Sequence, residues 1–237
     1  MGQVPRYLVI GRGRLATHFK HYLSLLHISC DSWHRAQSIK LLHHLMQTNT
    51  VILLLIPDDA IADFIEQHDL ASHPGLVHCS ATVAIDGVPF AHPLMSFNAD
   101  LYDTSLYPTI PFAIAENGPS LTDFLPGLPN PSFRLPSDKR DLYHALCVIG
   151  GNFSAMLWQH FFNGMQQSLG IDRALLLPYV NQVSQNTMQS DHAVTGPLVR
   201  GDQGTITKHL AALDDNPLAH VYQAMLNLHQ ETCSEST

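Results

Sequence analysis

A glycine-rich segment near the start of the chain is the first candidate for chemistry. Residues 11–16 read GRGRLA, which matches the spacing G-x-G-x-x-G/A. There the first glycine permits a tight turn, the second lets the backbone approach a pyrophosphate, and a small sixth residue allows close helix packing. An apolar run at residues 7–10 precedes the segment and helical periodicity follows it, as the motif requires. The alternative is an ordinary glycine turn before a helix. The residues expected to bind a dinucleotide here are Gly11, Arg12, Gly13, Arg14 and Leu15.

The residues about 20 positions beyond this turn distinguish NAD from NADP, because NAD-type domains place a carboxylate there for the ribose 2′-hydroxyl. Trp33, His34 and Arg35 occupy this place, while Asp31 lies slightly earlier, inside a predicted strand. A guanidinium donates forked, charge-assisted hydrogen bonds to phosphate. His34 and Arg35 therefore favour the 2′-phosphate of NADP(H). The alternative is that Arg35 is a solvated surface charge.

A second group of residues could handle a proton. Hydride transfer to C=O or C=N needs a proton donor of near-neutral pKa, and histidine is the commonest choice. His144 and Asn152 lie eight residues apart on a predicted helix, which is about 80° in projection, so both face one side. We predict that His144 is the general acid and that Asn152 orients the substrate or holds the developing anion by hydrogen bonds. The alternatives are a hydrogen-bonded core histidine and an asparagine that caps or bends the helix.

The first half of the chain alternates strand and helix signals. Strands are predicted at residues 7–10, 28–33, 51–56, 76–79, 88–91, 112–115 and 132–135, with amphipathic helices after the first three. This order implies right-handed βαβ units and a parallel sheet. Only about eight residues separate the fourth and fifth strands, which is short for a helical crossover. Either an irregular loop connects them or the sheet edge is rearranged.

From residue 137 the pattern is helical, with helices predicted at residues 139–168, 173–189, 203–213 and 219–231. The predicted fold class is α/β: a Rossmann-type parallel sheet domain, residues 1–136, followed by an all-α domain, residues 137–237. The apolar content of residues 153–162 is typical of a buried or dimer-facing helix.

Ligands of open α/β sheets bind beyond the carboxyl ends of the strands. Pro57, Asp58 and Ser80 follow predicted strands and are expected to contact the cofactor, as the glycine turn does. His92, Tyr143 and Arg200 are the predicted substrate contacts. The structural alternatives are that Ser80 bonds only its own loop and that Arg200 pairs with Asp202.

Composition limits the partners. The net charge is −8, only 14% of residues are charged, and no block of lysine and arginine provides a footprint for nucleic acid. The longest aliphatic run, residues 51–56, is too short to cross a bilayer, so we expect a soluble, cytoplasmic protein without a membrane partner. The 4 cysteines lack zinc or disulfide spacing, and most of the 16 histidines stand singly, so no metal site is expected.

Several segments together resemble the Rossmann-like proteins that carry the DUF2520 domain, a family assigned to NADP-dependent oxidoreductases. That family is similar to pyrroline-5-carboxylate reductase and to the 6-phosphogluconate and hydroxyacid dehydrogenase superfamily. The matching segments are residues 11–16, 56–61 (IPDDAI), 78–81 (HCSA), 92–94 (HPL), Lys139 with 143–145 (YHA), Asn152, 195–202 (TGPLVRGD) and 209–210. The resemblance covers nearly the whole chain and implies a Rossmann domain followed by a helical domain that also forms a homodimer. It makes Lys139 the rival general acid.

The expected function is NADP(H)-dependent transfer of hydride to a small imino or carbonyl compound. Ala81 stands where the family usually has glycine, and the segment between Ser80 and His92 is shorter than usual. Two alternatives therefore stay open. One is a non-catalytic NADP(H)-binding sensor or scaffold, and the other is a reductase linked to coenzyme F420.

Overall fold

The computed structural model describes residues 4–191 and 193–234, with side chains described to residue 232. The chain divides into two compact units, Met1–Trp158 and Gln159–Thr237. The boundary lies within a long helix, beyond the domain boundary at residues 136 and 137 that composition predicts. The residues between the two boundaries, 137–158, belong to unit 1. The predicted domain boundary at residues 136 and 137 stays a prediction.

A four-stranded parallel sheet is the centre of unit 1. Its strands are β1 (Arg6–Ile10), β2 (Ser29–Trp33), β3 (Val51–Leu54) and β4 (Leu76–His78), in the order β2-β1-β3-β4. The helices between them are α1 (Arg14–Leu25), α2 (Ile39–Thr48) and α3 (Ile61–Gln67). This confirms the alternating pattern and the Rossmann-type start of the chain.

The sheet is buried on both faces because its central strands are apolar throughout. In β1, Tyr7 and Val9 belong to one hydrophobic cluster and Leu8 and Ile10 to the other. Successive side chains of a strand point to opposite faces, so a continuous apolar run requires helices on both sides. This double cover fixes the sheet as the rigid frame that positions the loops at its carboxyl edge.

A second, three-stranded sheet follows in the same unit. Its strands are β5 (Ala91–Pro93), β6 (Phe112–Ala115) and β7 (Ser132–Leu135), with β5 antiparallel to β6 and β6 parallel to β7. A short helix, α4 (Leu121–Phe124), precedes β7. The chain passes from β4 to β5 through an irregular loop, since this connection is too short for a helical crossover.

The fifth strand starts three residues later than predicted from the sequence. Phe90 forms only an isolated parallel bridge to His78, and the ladder begins at Ala91, opposite Ile114. The sheet edge is therefore rearranged as well: the expected parallel sheet ends at β4, and a mixed sheet begins at β5.

The long predicted helix begins with a 3₁₀ turn, Ser137–Lys139, and is interrupted in its middle. Helix α5 (Arg140–Cys147) runs into a π-helical segment, Val148–Phe153, and then into α6 (Ser154–Leu169). The π segment contains Gly150 and Gly151, which stabilise a helix poorly, and such segments often mark functional sites.

Unit 2 contains the end of α6 and four further helices of the described part of the chain. They are α7 (Arg173–Gln189), α8 (Pro197–Arg200), α9 (Gln203–Leu213) and α10 (Leu218–Ser234), as the sequence predicts for an all-α segment. Within the part of the chain that the structure describes, no helix is long and apolar enough to cross a membrane.

Substitution of Gly11 should destabilise unit 1. Gly11 has φ 138°, and a Cβ there would lie 2.2 Å from the Leu55 carbonyl oxygen. We expect Gly11→Ala to lower the free energy of unfolding by about 1–3 kcal/mol or more. Gly13 is the matched control, because a Cβ there meets nothing within 4 Å. Urea unfolding of both variants checks this, and equal stabilities would contradict it.

Candidate active site

The turn after β1 is formed by a close approach of two backbones. The Gly11 amide donates to the Trp33 carbonyl at 2.8 Å, and the Leu55 amide donates to the Ile10 carbonyl at 2.8 Å. A side chain at position 11 would occupy the place of the Leu55 carbonyl. The sequence requirement for glycine therefore comes from the ends of three neighbouring strands meeting at this point.

Helix α1 starts directly after this turn and is left open at its N-terminus. Gly13 is the N-cap residue, and no side chain caps the helix. Arg12, Gly13 and Arg14 are exposed, and the space around the missing Cβ of Gly13 is empty to 4 Å. Free amides at a helix N-terminus attract anions. The turn thus fits a pyrophosphate, as the motif predicts.

An exposed arginine, Arg35, follows β2, whereas the carboxylate of Asp31 inside the strand contacts other side chains. Arg35 is exposed in the turn after β2, where the His34 amide donates to the side chain of Gln37 at 2.9 Å. Asp31 lies opposite Leu8 in the sheet, away from the strand end. Its carboxylate accepts from Asn49 at 3.1 Å and lies 3.6 Å from the Arg6 guanidinium.

Asp58 connects the loops after β3 and β4. Its carboxylate accepts from the Ser80 hydroxyl at 2.8 Å and from the Thr82 hydroxyl at 3.2 Å. The Ser80 oxygen also accepts from the amides of Thr82 and Val83, at 3.3 and 3.1 Å. Ser80 therefore bonds its own loop and Asp58 together. Pro57, one residue earlier, is exposed and begins the 3₁₀ turn Asp58–Ala60.

His92, Tyr143 and His144 come together where α5 packs on β5. His92 Nδ1 lies 3.0 Å from the Tyr143 hydroxyl. The ring of His144 stands edge-on to that of His92, with centroids 5.8 Å apart. The sequence places Tyr143 and His92 51 residues apart, so only packing of the helix on the strand forms this cluster.

Burial keeps this pair uncharged at neutral pH. Burial, reinforced by His144, lowers the pKa of His92 to about 4, although Asp58 opposes the shift. Burial, with a contribution from the neighbouring Cys147, raises the pKa of the Tyr143 hydroxyl. Both side chains are therefore neutral hydrogen-bonding groups at pH 7.

Arg140 is a polar anchor that sequence analysis missed. It lies one helical turn before Tyr143 and His144, and its guanidinium donates to the carbonyls of Ala81 at 2.7 Å, Val83 at 2.6 Å and Ser80 at 3.4 Å. The same group lies 3.8 Å from the ring centre of Phe90. A cation three and four residues before two candidate residues is the signal that could have identified it.

His78 belongs to a segment that carries the resemblance, but the sequence analysis assigned it no role. It is 1% exposed, and neither ring nitrogen has a hydrogen-bond partner among the described residues. Burial, reinforced by the charge of Arg140, lowers its pKa to about 4, while Asp58 opposes this shift. Residues 76–79 have the apolar pattern of a strand, and a histidine within such a run is more often a core residue than a functional one.

Three more predicted residues, Lys139, Asn152 and Arg200, are described by their own surroundings. Lys139 is exposed, with its ammonium 3.4 Å from Asp138, and Asn152 is exposed within the π segment. The wider turn there changes the angle between Asn152 and His144 that a regular α-helix would give. Arg200 ends α8 in unit 2, and Asp202 instead caps α9 by accepting from the Thr205 amide at 3.1 Å.

Among residues 4–191 and 193–234, no group of three or more His, Cys, Asp or Glu side chains could hold a metal ion.

One family model matches part of the chain. Residues 114–228 match the model of a family described as "Domain of unknown function (DUF2520)". No curated protein sequence matches the chain.

Solved structures share the fold over almost the full length. A proposed NADP oxidoreductase from Bacteroides fragilis is 19% identical, with 96% of this chain and 98% of that chain covered and a TM-score of 0.76. Pyrroline carboxylate reductase from Plasmodium falciparum, with NADP bound, is 12% identical over 96% and 97%, TM-score 0.58. An imine reductase variant from Myxococcus stipitatus, in complex with NAD⁺, is 15% identical over 98% and 95%, TM-score 0.56. The resemblance expected from the sequence is confirmed: residues 114–228 match the DUF2520 model, and the chain has the Rossmann-type fold of these solved structures.

Proposed function

We propose that the chain is an NADP(H)-dependent oxidoreductase that transfers hydride to a small imino or carbonyl compound. The observation that carries the proposal is the open turn around Gly13, with empty space to 4 Å at the uncapped start of α1. This is the geometry that a pyrophosphate needs, because it leaves free amides and no side chain in the way.

NADP(H) fits the strand end beside this turn better than NAD(H). The Asp31 carboxylate is held by Asn49 and Arg6, so it does not serve a ribose 2′-hydroxyl. Arg35, with His34 before it, supplies a cation for a 2′-phosphate. Arg12 and Arg14 flank the pyrophosphate position, and Leu15, Pro57, Asp58 and Ser80 complete the proposed cofactor contacts.

The chemistry divides between the cofactor and the residues on α5 and β5. Bound NADPH would supply the hydride. His92 and Tyr143 hold the substrate heteroatom through neutral hydrogen bonds, and His144, packed against His92 at 5.8 Å between ring centroids, gives the proton. Lys139 is the rival proton donor, and Asn152 and Arg200 stay as proposed contacts to the developing anion and to a substrate carboxylate.

The names of the solved neighbours favour the imino alternative. Both the imine reductase and pyrroline carboxylate reductase are named for substrates with a C=N bond. A buried neutral pair such as His92 and Tyr143 suits such a substrate, because it can hydrogen bond a nitrogen without opposing an iminium charge.

We also propose that the chain is a homodimer and that residues 137–237 contribute the dimer surface. An apolar stripe runs along α5, the π segment and the start of α6, and each of its side chains is at least 50% exposed. The members are Leu142, Leu146, Ile149, Phe153 and Met156. Their spacing of four and three residues is typical of a helix that packs against another helix, and so large an apolar face is unusual on a monomer.

Nucleotide binding tests the cofactor. We expect calorimetric titration to give micromolar affinity for NADPH and at least about tenfold weaker affinity for NADH. Arg35→Ala should lower the affinity for NADPH about tenfold or more, because a charge-assisted hydrogen bond is lost, and should leave the affinity for NADH unchanged. Lys40→Ala, which removes an exposed cation on α2, should change neither affinity. Gly13→Ala should weaken both nucleotides without unfolding the protein.

Two results would decide against this assignment. If Arg35→Ala lowered the affinity for NADPH and NADH equally, Arg35 would not contact the 2′-phosphate. Binding of neither nucleotide would overturn the redox proposal and favour F420 or a non-catalytic protein.

Catalysis tests His144. With a panel of small cyclic imines and ketones, we expect His144→Ala to bind NADPH as the wild type does and to oxidise it about 100-fold more slowly, or slower still. His44→Ala, on an exposed face of α2, is the control and should keep the full rate. A full rate in His144→Ala would transfer the acid assignment to Lys139 or Tyr143.

Sedimentation velocity tests the dimer. The mass derived for the wild type should be twice that of one chain. Leu146→Glu should give the mass of one chain, because burying a charge at a helix interface without a partner is unfavourable. Leu101→Glu, at a position 47% exposed outside the stripe, should leave the dimer intact. A monomeric wild type would contradict the proposal.

A further inference from the structure

Arg140 joins parts of unit 1 that belong to two different sheets. Its guanidinium bonds three carbonyls of the loop that leaves β4, and it lies on the ring of Phe90, which leads into β5. The loop, in turn, holds Asp58 through Ser80 and Thr82. A single side chain of α5 therefore contacts both the proposed cofactor side and the substrate side of the sheet edge.

The contacts of α5 on β5 match in spacing. Arg140 and His144 are four residues apart on the helix, and Phe90 and His92 are two residues apart on the strand. Four helical residues rise about 6 Å, and two strand residues rise about 6.6 Å. Arg140 over Phe90 therefore places His144 against His92, as observed.

The weaker contacts of α5 depend on this match. Tyr143 reaches His92 Nδ1 at 3.0 Å and packs on Phe133 of β7 with ring centroids 5.8 Å apart. A single hydrogen bond contributes about 1 kcal/mol, too little to hold a helix in register by itself. The fork of Arg140 has several carbonyl acceptors, and its planar geometry specifies one orientation.

We propose that Arg140 is a positioning residue. It holds α5 in the position along β5 at which Tyr143 and His144 contact His92. The proposal rests on the proposed function, since it assigns a purpose to the residues that would face the substrate. Arg140 itself touches neither substrate nor cofactor in this scheme and acts through the loop of residues 80–83 and Phe90.

The ionisation of His92 reports whether α5 is in place. Burial and the neighbouring His144 on α5 hold the pKa of His92 down, and Asp58, after β3, acts in the opposite direction. If α5 withdraws, burial and the influence of His144 both decrease while Asp58 stays. The pKa of His92 should then rise toward 6.5. Arg140→Lys keeps the positive charge at this position, so a rise in the pKa of His92 in that variant reports the position of α5 rather than a lost charge.

His78 serves as an internal reporter of that charge. Arg140 contributes to the low pKa of His78 through its charge. Replacement by methionine should raise the pKa of His78, whereas replacement by lysine, which keeps a positive charge, should raise it less.

The experiment is a nitrogen NMR titration of the histidine rings in the full chain between pH 7.5 and 5, with His92→Gln and His78→Gln used for assignment. In the wild type, His92 should stay neutral throughout. In Arg140→Met and Arg140→Lys its pKa should rise by roughly one unit or more. Arg134→Met is the matched control, because Arg134 also donates to two carbonyls, those of Ala115 and Pro119 at 2.8 and 3.1 Å, but lies on β7. It should leave His92 unchanged.

An unchanged pKa of His92 in folded Arg140→Lys would overturn the proposal. If Arg140→Met does not fold, Arg140→Lys alone provides the test. A rise of equal size in Arg134→Met would overturn it too, because the effect would then be general loosening. NADPH titration of the same wild-type sample separates the two proposals: absence of binding removes the proposed function, whereas the response of His92 to Arg140 is read without any nucleotide.

Discussion

The close approach of Gly11 to the Leu55 carbonyl is the constraint on which the rest of the site depends. β1 and β3 lie side by side with both faces covered, so the chain leaving β1 has no room for a Cβ before it turns into α1. This contact fixes where the free amides of α1 point. The loops after β3 and β4 leave the same edge, since the carboxyl ends of parallel strands lie together.

Several charged side chains of unit 1 already have hydrogen-bond or ion-pair partners. Asp58 is bonded by two hydroxyls, Arg140 by three carbonyls, and Asp31 by Asn49 and Arg6. What remains beside β5 is a neutral pair, His92 and Tyr143. A buried charge without a partner would cost several kcal/mol, so the chain presents hydrogen-bonding groups there, while Arg12, Arg14 and Arg35 lie exposed after β1 and β2.

The helical unit differs in how it uses its apolar residues. Its buried hydrophobic residues among the described part of the chain are Phe162, Leu176, Ile206 and Leu226, while many others are exposed, including Leu175 at 73% and Met188 at 77%. A helical segment with so thin a core gains little stability from burial within one chain. Association with a second copy would supply the missing burial, which connects the composition of this half to the proposed dimer.

Local patterns in the sequence determined the alternating strands and helices, the glycine turn and the cation at the end of β2, because periodicity and turn chemistry act over a few residues. The helices of the second half were predictable for the same reason. The shift of β5, the break into a second sheet and the π segment were not, since they depend on which strands pair and on how a helix tolerates Gly150 and Gly151. The meeting of His92 with Tyr143, the link from Asp58 to Ser80 and the clasp of Arg140 were decided only by tertiary structure. Each of these contacts joins residues at least 22 positions apart, and no local pattern specifies the packing that brings such residues within hydrogen-bonding distance.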